Sequence, residues 1–450
     1  MKRLSSILLV ASSLVSSVMT MAAERPHYGG TLHVELRESP SSLDPVTPPV
    51  KVQESLSRLV FETLVAMDEN GRPKPLLASA WQAEPGNQRW RFRLRDGVSF
   101  TDGTPLDAAA VVASLRKSST EWKVIADGNS VIVEIENPDP DIPAELALVR
   151  HAIVRRSGGD LIGTGPFTIA RWAAGQNLNL KANDSYWQGR PFLDSIDVEF
   201  KKNDRDQIMA LDLRNADVVE VAAENIQRTQ AQNRVVMTSE SCELMTLVFA
   251  GEPRSEDEIQ ARNALAISID RAALNNVVLQ GGGEPTPALL PNWESGYGFV
   301  FEHASNDHRP LAQRKSQTWT FAFNTADPIE RVIAQRVALN ARDAGITLDL
   351  SGSGTPTPDL HLVRIPLASS EPHVALIELA RALELSPPKF SNGSVAELYA
   401  AENMLLESHR LLPLLHLRSA IAVRPLVHAF TISPDGIWHL ENIWLSAERP

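Results

Sequence analysis

A loop that cradles phosphate needs glycines running into Lys-Ser or Lys-Thr, and a dinucleotide site needs the spaced glycines of a strand-to-helix turn. Gly281-Gly282-Gly283 runs into Glu284-Pro285, and Gly163-Thr164-Gly165 into Pro166, so both read as turns. Metal binding would need clustered ligands. The 11 histidines include no His-Glu-x-x-His pair, and His303 and His308 share an Asn- and Asp-containing loop with no obvious third ligand. Asp139 and Asp141 read as a solvated loop. No Gly-x-Ser-x-Gly turn supports a serine nucleophile. The expectation is a protein that is not an enzyme, with no cofactor and no resident metal.

The aromatic residues are more suggestive. Of 9 tryptophans, Trp81 and Trp90 sit in packing contexts, whereas Trp172 and Trp187 fall in polar, turn-rich stretches. Trp293, Trp438 and Trp444 lie among Gly, Pro or Asn. An indole can cover the edge of a bound molecule while its N–H donates a hydrogen bond, a use that competes with ordinary partial burial.

With 43 basic against 55 acidic side chains, the formal charge is -12, which opposes nonspecific nucleic-acid binding. MKRLSSILLVASSLVSSVMTMAA sets Lys2 and Arg3 before an apolar, small-residue middle and ends on Ala22-Ala23, the order of a secretory signal over residues 1–23. Cys242 is the single cysteine, so no intramolecular disulfide forms. None lies near the cleavage point to carry a lipid. A soluble periplasmic protein is expected.

The elements that must position any site follow from periodicity. TLHVELRE alternates as a short strand, and SPSSLDPVTPPV after it is loop. Leu56, Leu59, Val60 and Leu64 predict a helix over 52–64. Trp90, Phe92 and Leu94 alternate with Arg91, Arg93 and Arg95 as a strand with one wet face. Asp96-Gly97 and Asp102-Gly103 then turn the chain, and Thr104 is placed to cap a helix with Pro105 at its first position. Residues 122–151 read as strands closing a small α+β lobe. Helices are predicted over 204–214, from Ser255 with Glu258 as a capping box, over 329–341 and over 395–407. The simplest partition is discontinuous: a main lobe from 24–45, 160–248 and 426–450, an inserted small lobe at 46–159, and a distal lobe at 249–425.

The run LASAWQAEPGNQRWRFRLRDGVSFTDGTPLDAAAVVASL closely resembles a signature segment of the family 5 extracellular solute-binding proteins, the periplasmic peptide- and nickel-binding components of ABC importers. GGTLHVELRESPSSLDP, GTGPFTIARW, NDSYWQGRPFLDSIDVEF and ARNALAISIDRAAL resemble further segments in the same order. RVIAQRVALNARDAGITLDL and the last fifty residues extend the resemblance over almost all of the mature chain, weakest from 280 to 390.

The resemblance implies an α/β fold, a type II periplasmic-binding-protein Venus flytrap with two large α/β lobes around a cleft and an additional small α+β lobe. It implies a monomeric receptor that closes on a small peptide or peptide-like solute and docks on a membrane permease, with ATP hydrolysed by partner subunits. A metal chelate, haem, opine or glycoside is the alternative solute, and a structural or sensor role the alternative to transport. Against the family pattern, RIPLASSEPHVAL lacks the tryptophan and the clean acidic anchor for a peptide amine. Glu371 is the possible substitute, and Arg364 can meet a carboxylate on the distal wall. Ser39, Ser41 and Ser42 lie on the loop expected to face the cleft. Gly165 and Phe167 are expected to approach it, and Trp172 completes the candidate set.

Overall fold

The computed structural model describes residues 25–447 apart from 48–50, 306–315, 351–356 and 392. The export segment 1–23 and His308 lie outside the described residues. Alternating apolar residues build an 11-stranded sheet spanning both large lobes. On the main-lobe side its strands run in the order Phe167–Ala173, Asn177–Ala182, Ser195–Glu199, Thr31–Glu35 and Val218–Glu220. On the distal side come Leu360–Pro366, Gln317–Ala322 and Ile346–Leu350, with Gly283–Pro285 added alongside.

Two long antiparallel strands, Val235–Phe249 and Leu411–Val423, join the halves. One end of this ribbon packs Ile421 and Val423 into a core with Leu32, Val34 and Phe167. The other packs Met245, Leu247 and Leu412 into a separate core with Phe321 and Ile333. Register shifts near Thr238, Ser241 and Glu243 interrupt the ladder between the two cores. The backbone groups freed there are taken up locally: Ser419 N–H donates to Ser239 Oγ at 2.9 Å, and the Trp293 indole N–H to the Ser241 carbonyl at 2.8 Å.

The small lobe is a four-stranded antiparallel sheet with a helix packed on it. Its strand Arg89–Leu94 buries Trp90, Phe92 and Leu94 and exposes Arg91 and Arg93, as the alternation requires. Gly97 and Gly103 take positive φ in the two Asp-Gly turns. The helix that follows spans Ala108–Ser118 and is capped by Asp107, whose side chain accepts from Ala110 N–H at 2.7 Å. Thr104 therefore does not cap it. Leu106 N–H still bonds the Val98 carbonyl, so the chain stays extended past Pro105 before it coils.

Residues 142–145 form a short helix with Pro143 in its first turn, and 149–151 a 3-10 turn, where strand was expected. Proline is preorganised for a helix start, and that placement wins over the apolar run. The helices Glu256–Ser268 and Val395–Glu407 form as expected, the first with Ser255 Oγ accepting from Glu258 N–H at 3.2 Å. Among the described residues no helix is long and apolar enough to cross a membrane.

Candidate functional site

The small and distal lobes meet over a contact with three parts. Its apolar centre sets Met67, Ala144 and Leu148 against Ala368 and Val374. Nearby, a Cβ on Gly71 would lie 2.7 Å from the Ser370 carbonyl oxygen, so the turn at Gly71, with φ +71, sits directly on the distal lobe. Next to the apolar centre lie a cavity, which shares Leu148 and Ala368 with it, and a cluster of titratable groups.

The cavity has a volume of about 510 Å³, within the range of small-molecule sites. One wall is the end of the loop after the first strand, Val46 and Thr47, with Glu54 of the helix Lys51–Val60. The small lobe contributes residues 118–121 and 148–151, and the distal lobe contributes 365–368, where the strand Leu360–Pro366 leaves the sheet, together with helix Pro372–Ala382. Leu148, Val149, Ile365 and Leu367 make part of this lining apolar.

Charged groups bridge the lobes at its rim. The Arg150 guanidinium donates to Glu145 at 2.9 Å within its own lobe and to Glu378 across the boundary. Arg381 of the distal lobe lies 3.6 Å from Glu145 and donates to Glu378 at 2.5 Å. Burial would raise the Glu145 carboxyl, but His151, Arg150 and Arg381 together bring it down to about 2. His151 itself is pushed down by burial. Its Nε2 lies 2.9 Å from Arg150 Nε and its Nδ1 2.8 Å from Ser118 Oγ. Paired charges of both signs beside an apolar wall suit an amphipathic solute carrying its own charges, because such a solute can exchange partners with the rim.

Outside the cavity lining, Asp141 of the small lobe faces Glu371 and His373 of the distal lobe. His373 Nδ1 lies 2.8 Å from Glu371 Oε1 and 3.9 Å from Asp141 Oδ2. Burial and the facing Glu371 raise the Asp141 carboxyl to about 7, and burial raises Asp139 as well. The Asp139–Asp141 stretch is thus half-buried rather than a solvated loop: the Asp141 N–H donates to Asp139 Oδ1 at 2.8 Å, and His373 of the distal lobe stands 3.9 Å from Asp141.

None of the eight residues singled out from the sequence lines the cavity, although two groups adjoin it. Ser39 Oγ accepts from Gly175 N–H at 3.0 Å, and Ser42 Oγ from Asp44 N–H at 3.0 Å, while Ser41 is exposed. These serines shape the loop that ends at Val46, and Arg156 anchors it through Asp44 at 2.5 Å. Arg364 directly precedes the lining residue Ile365, but its guanidinium pairs with Glu243 at 2.6 Å and Asp327 at 3.4 Å. The charge of Glu243 foremost raises its pKa.

Glu371 caps helix Pro372–Ala382 by accepting from Val374 N–H at 2.8 Å, and so faces Asp141 instead of the cavity. Phe167 is wholly buried in the main-lobe core and has no face toward a solute. Gly165 is pressed on the helix end, where a Cβ would lie 2.5 Å from the Leu59 carbonyl oxygen, so close packing explains that glycine. Trp172 belongs to the outermost strand of the sheet and packs edge-on against Phe200. The sequence reading missed Glu145, Arg150, Glu378 and Arg381. The one available signal was the Glu378/Arg381 pair, three residues apart on an otherwise apolar helix.

Two large α/β lobes joined by a shared ribbon, with a third lobe beside the first, define a type II periplasmic-binding-protein fold. Residues 72–361 match the family described as bacterial extracellular solute-binding proteins, family 5 Middle. The chain belongs to that family. It is 32% identical over 180 residues to the uncharacterized protein YhjP of Bacillus subtilis, an alignment covering 37% of this chain and 31% of YhjP. The chain thus spans less than a third of that relative's length.

Among solved structures, a dipeptide-binding protein from Pseudoalteromonas sp. SM9913 in complex with Met-Leu is similar at TM-score 0.78 and 16% identity, covering 93% of this chain and 100% of that one. AgaA from A. tumefaciens R10, in complex with agropinic acid, is similar at TM-score 0.76 and 20% identity, covering 93% and 99%. At these identities the likeness is one of fold.

Proposed function

We propose that the chain is the extracytoplasmic receptor of an ABC importer, capturing a small peptide or peptide-like solute in the cavity between its lobes and presenting the closed form to a membrane permease. The observation that carries this reading is the cavity itself: about 510 Å³, walled by the small and distal lobes, with Arg150 and Arg381 interleaved with Glu145 and Glu378. A free peptide carries an amine and a carboxylate on a short apolar body. The carboxylate can take over a guanidinium and the amine a released glutamate, while the side chains lie on Leu148, Ile365 and Leu367. Closure expels water and strengthens these contacts.

A second reading, a charged non-peptide solute, is favoured by one observation. The cavity segment 365–368 is Ile-Pro-Leu-Ala, so an amine has to be met by Glu145 or Glu378, both already paired with arginines. Structural relatives divide similarly, one solved with Met-Leu and another with agropinic acid.

Native mass spectrometry of gently purified protein tests the assignment through the mass of any retained solute. A thermal-shift panel of free dipeptides, amine-blocked dipeptides and opine-type acids follows. A shift confined to free dipeptides supports the peptide reading, one confined to opine-type acids supports the second, and no shift with any class counts against a receptor for either.

A further inference from the structure

The titratable cluster outside the cavity lining has the composition and placement of a metal site. Asp141 stands immediately before the short helix Ile142–Glu145 of the small lobe, whereas Glu371 and His373 occupy the first turn of helix Pro372–Ala382 in the distal lobe. One oxygen from each carboxylate and one imidazole nitrogen lie within 4.8 Å of one another. The imidazole is held in place: its ring meets Phe390 edge-on at 4.6 Å between centroids, and it is buried. Its Nδ1 points at both carboxylates. Glu371 commits Oε2 to the helix N-terminus through Val374 N–H and leaves Oε1 toward the imidazole.

We infer that Asp141, Glu371 and His373 form a binding site for a divalent transition-metal ion that ties the small lobe to the distal lobe. One imidazole nitrogen and two carboxylate oxygens are ligands that Zn²⁺ or Ni²⁺ accepts, with remaining positions left to water. Donors about 2.1 Å from a tetrahedral ion stand roughly 3.4 Å apart. The His373–Asp141 separation of 3.9 Å needs only a small contraction to reach that geometry, and the 2.8 Å His373–Glu371 contact a slight opening. An ion would also offset the repulsion between Asp141 and Glu371, with Asp139 behind them.

Because the ligands come from two lobes, the complete set exists only when those lobes meet. An ion bound there would therefore favour the closed form by its affinity for that form over the open one. This site is separate from the solute cavity, so its binding can be tested with no organic solute present.

Untagged full-length protein, stripped with chelator, is titrated with ZnCl₂ and separately with NiCl₂ by calorimetry. The expected result is one equivalent bound for at least one metal, weakened tenfold or more by His373→Gln and by Asp141→Asn, with circular dichroism confirming that both variants are folded. X-ray scattering should show a smaller radius of gyration on adding the metal to the wild type, and no change for Asp141→Asn. Absence of saturable binding of both metals overturns the inference. So does binding of undiminished strength in both folded variants, which would assign the ion to other histidines.

Discussion

Arg150 of the small lobe donates to Glu378 of the distal lobe, and both side chains are largely shielded from water. This is a contact between lobes, not within one, so its strength enters the balance between closed and open forms. Removing Arg150 takes away the cation that crosses the boundary and leaves Glu378 and Glu145 to share Arg381. Arg150→Ala should therefore disfavour closure by roughly 1–3 kcal/mol, discounted for partial exposure. Scattering would show a larger radius of gyration, while circular dichroism stays unchanged. If Arg150 also meets the solute, affinity for the retained solute falls about tenfold or more.

Gly71 offers a steric counterpart. A Cβ there meets the Ser370 carbonyl at 2.7 Å, and φ of +71 is unfavourable for other residues. Gly71→Ala should cost roughly 1–2 kcal/mol locally and hold the small lobe away from the distal lobe. Hydrogen exchange should rise around residues 368–374, with the cores of the two large lobes remaining protected.

His416 gives a pH prediction. It is buried in the ribbon, its Nε2 lies 3.0 Å from the Leu289 carbonyl, and burial lowers its pKa from 6.5 to about 4. Between those values the unfolded chain binds the proton and the folded one does not. Stability is therefore complete above about 6.5 and falls as the pH drops toward 4, by up to about 3 kcal/mol at roughly 1.4 kcal/mol per unit. Urea unfolding at pH 7 and pH 4.5, compared with His416→Gln, isolates this contribution. The difference between the two proteins should shrink at the lower pH.

Glu62 follows the helix Lys51–Val60 and is buried. Its carboxylate accepts from Thr164 at 2.7 Å, Tyr186 at 2.7 Å and the Trp187 indole at 2.9 Å. Burial raises its pKa, against the effect of those three donors. Glu62→Gln keeps one acceptor oxygen for Thr164 and Trp187 but removes the charge and turns an amide N–H toward the Tyr186 hydroxyl, which then has to accept where it donated. A loss of about 2–4 kcal/mol is expected from the denaturation midpoint, with solute affinity little changed because Glu62 lies outside the cavity.

The sequence was most informative where local chemistry decides the structure. Ser255 with Glu258 started a helix as read, and the period of Trp90, Phe92 and Leu94 set a strand face. It was less informative where two local signals competed, as when Asp107 displaced Thr104 as the cap. Nor can a strand pattern say which buried face a residue joins, which is why Phe167 proved to be core. The cavity lay beyond such reasoning altogether. Glu145 and Arg150 meet Glu378 and Arg381 only because separate lobes touch, and a carboxylate cap such as Glu371 has the same local sequence whether it faces solvent or another lobe.

The paired strands Val235–Phe249 and Leu411–Val423 also constrain how the molecule moves. A single flexible tether would let two bodies swivel in any direction, but a hydrogen-bonded double strand resists shear and yields mainly by twisting, most readily where the ladder is already irregular around Ser241. In the proposed receptor, opening and closing would then amount to one rotation about a built-in torsion bar, whose angle is a single variable for a docking protein to read.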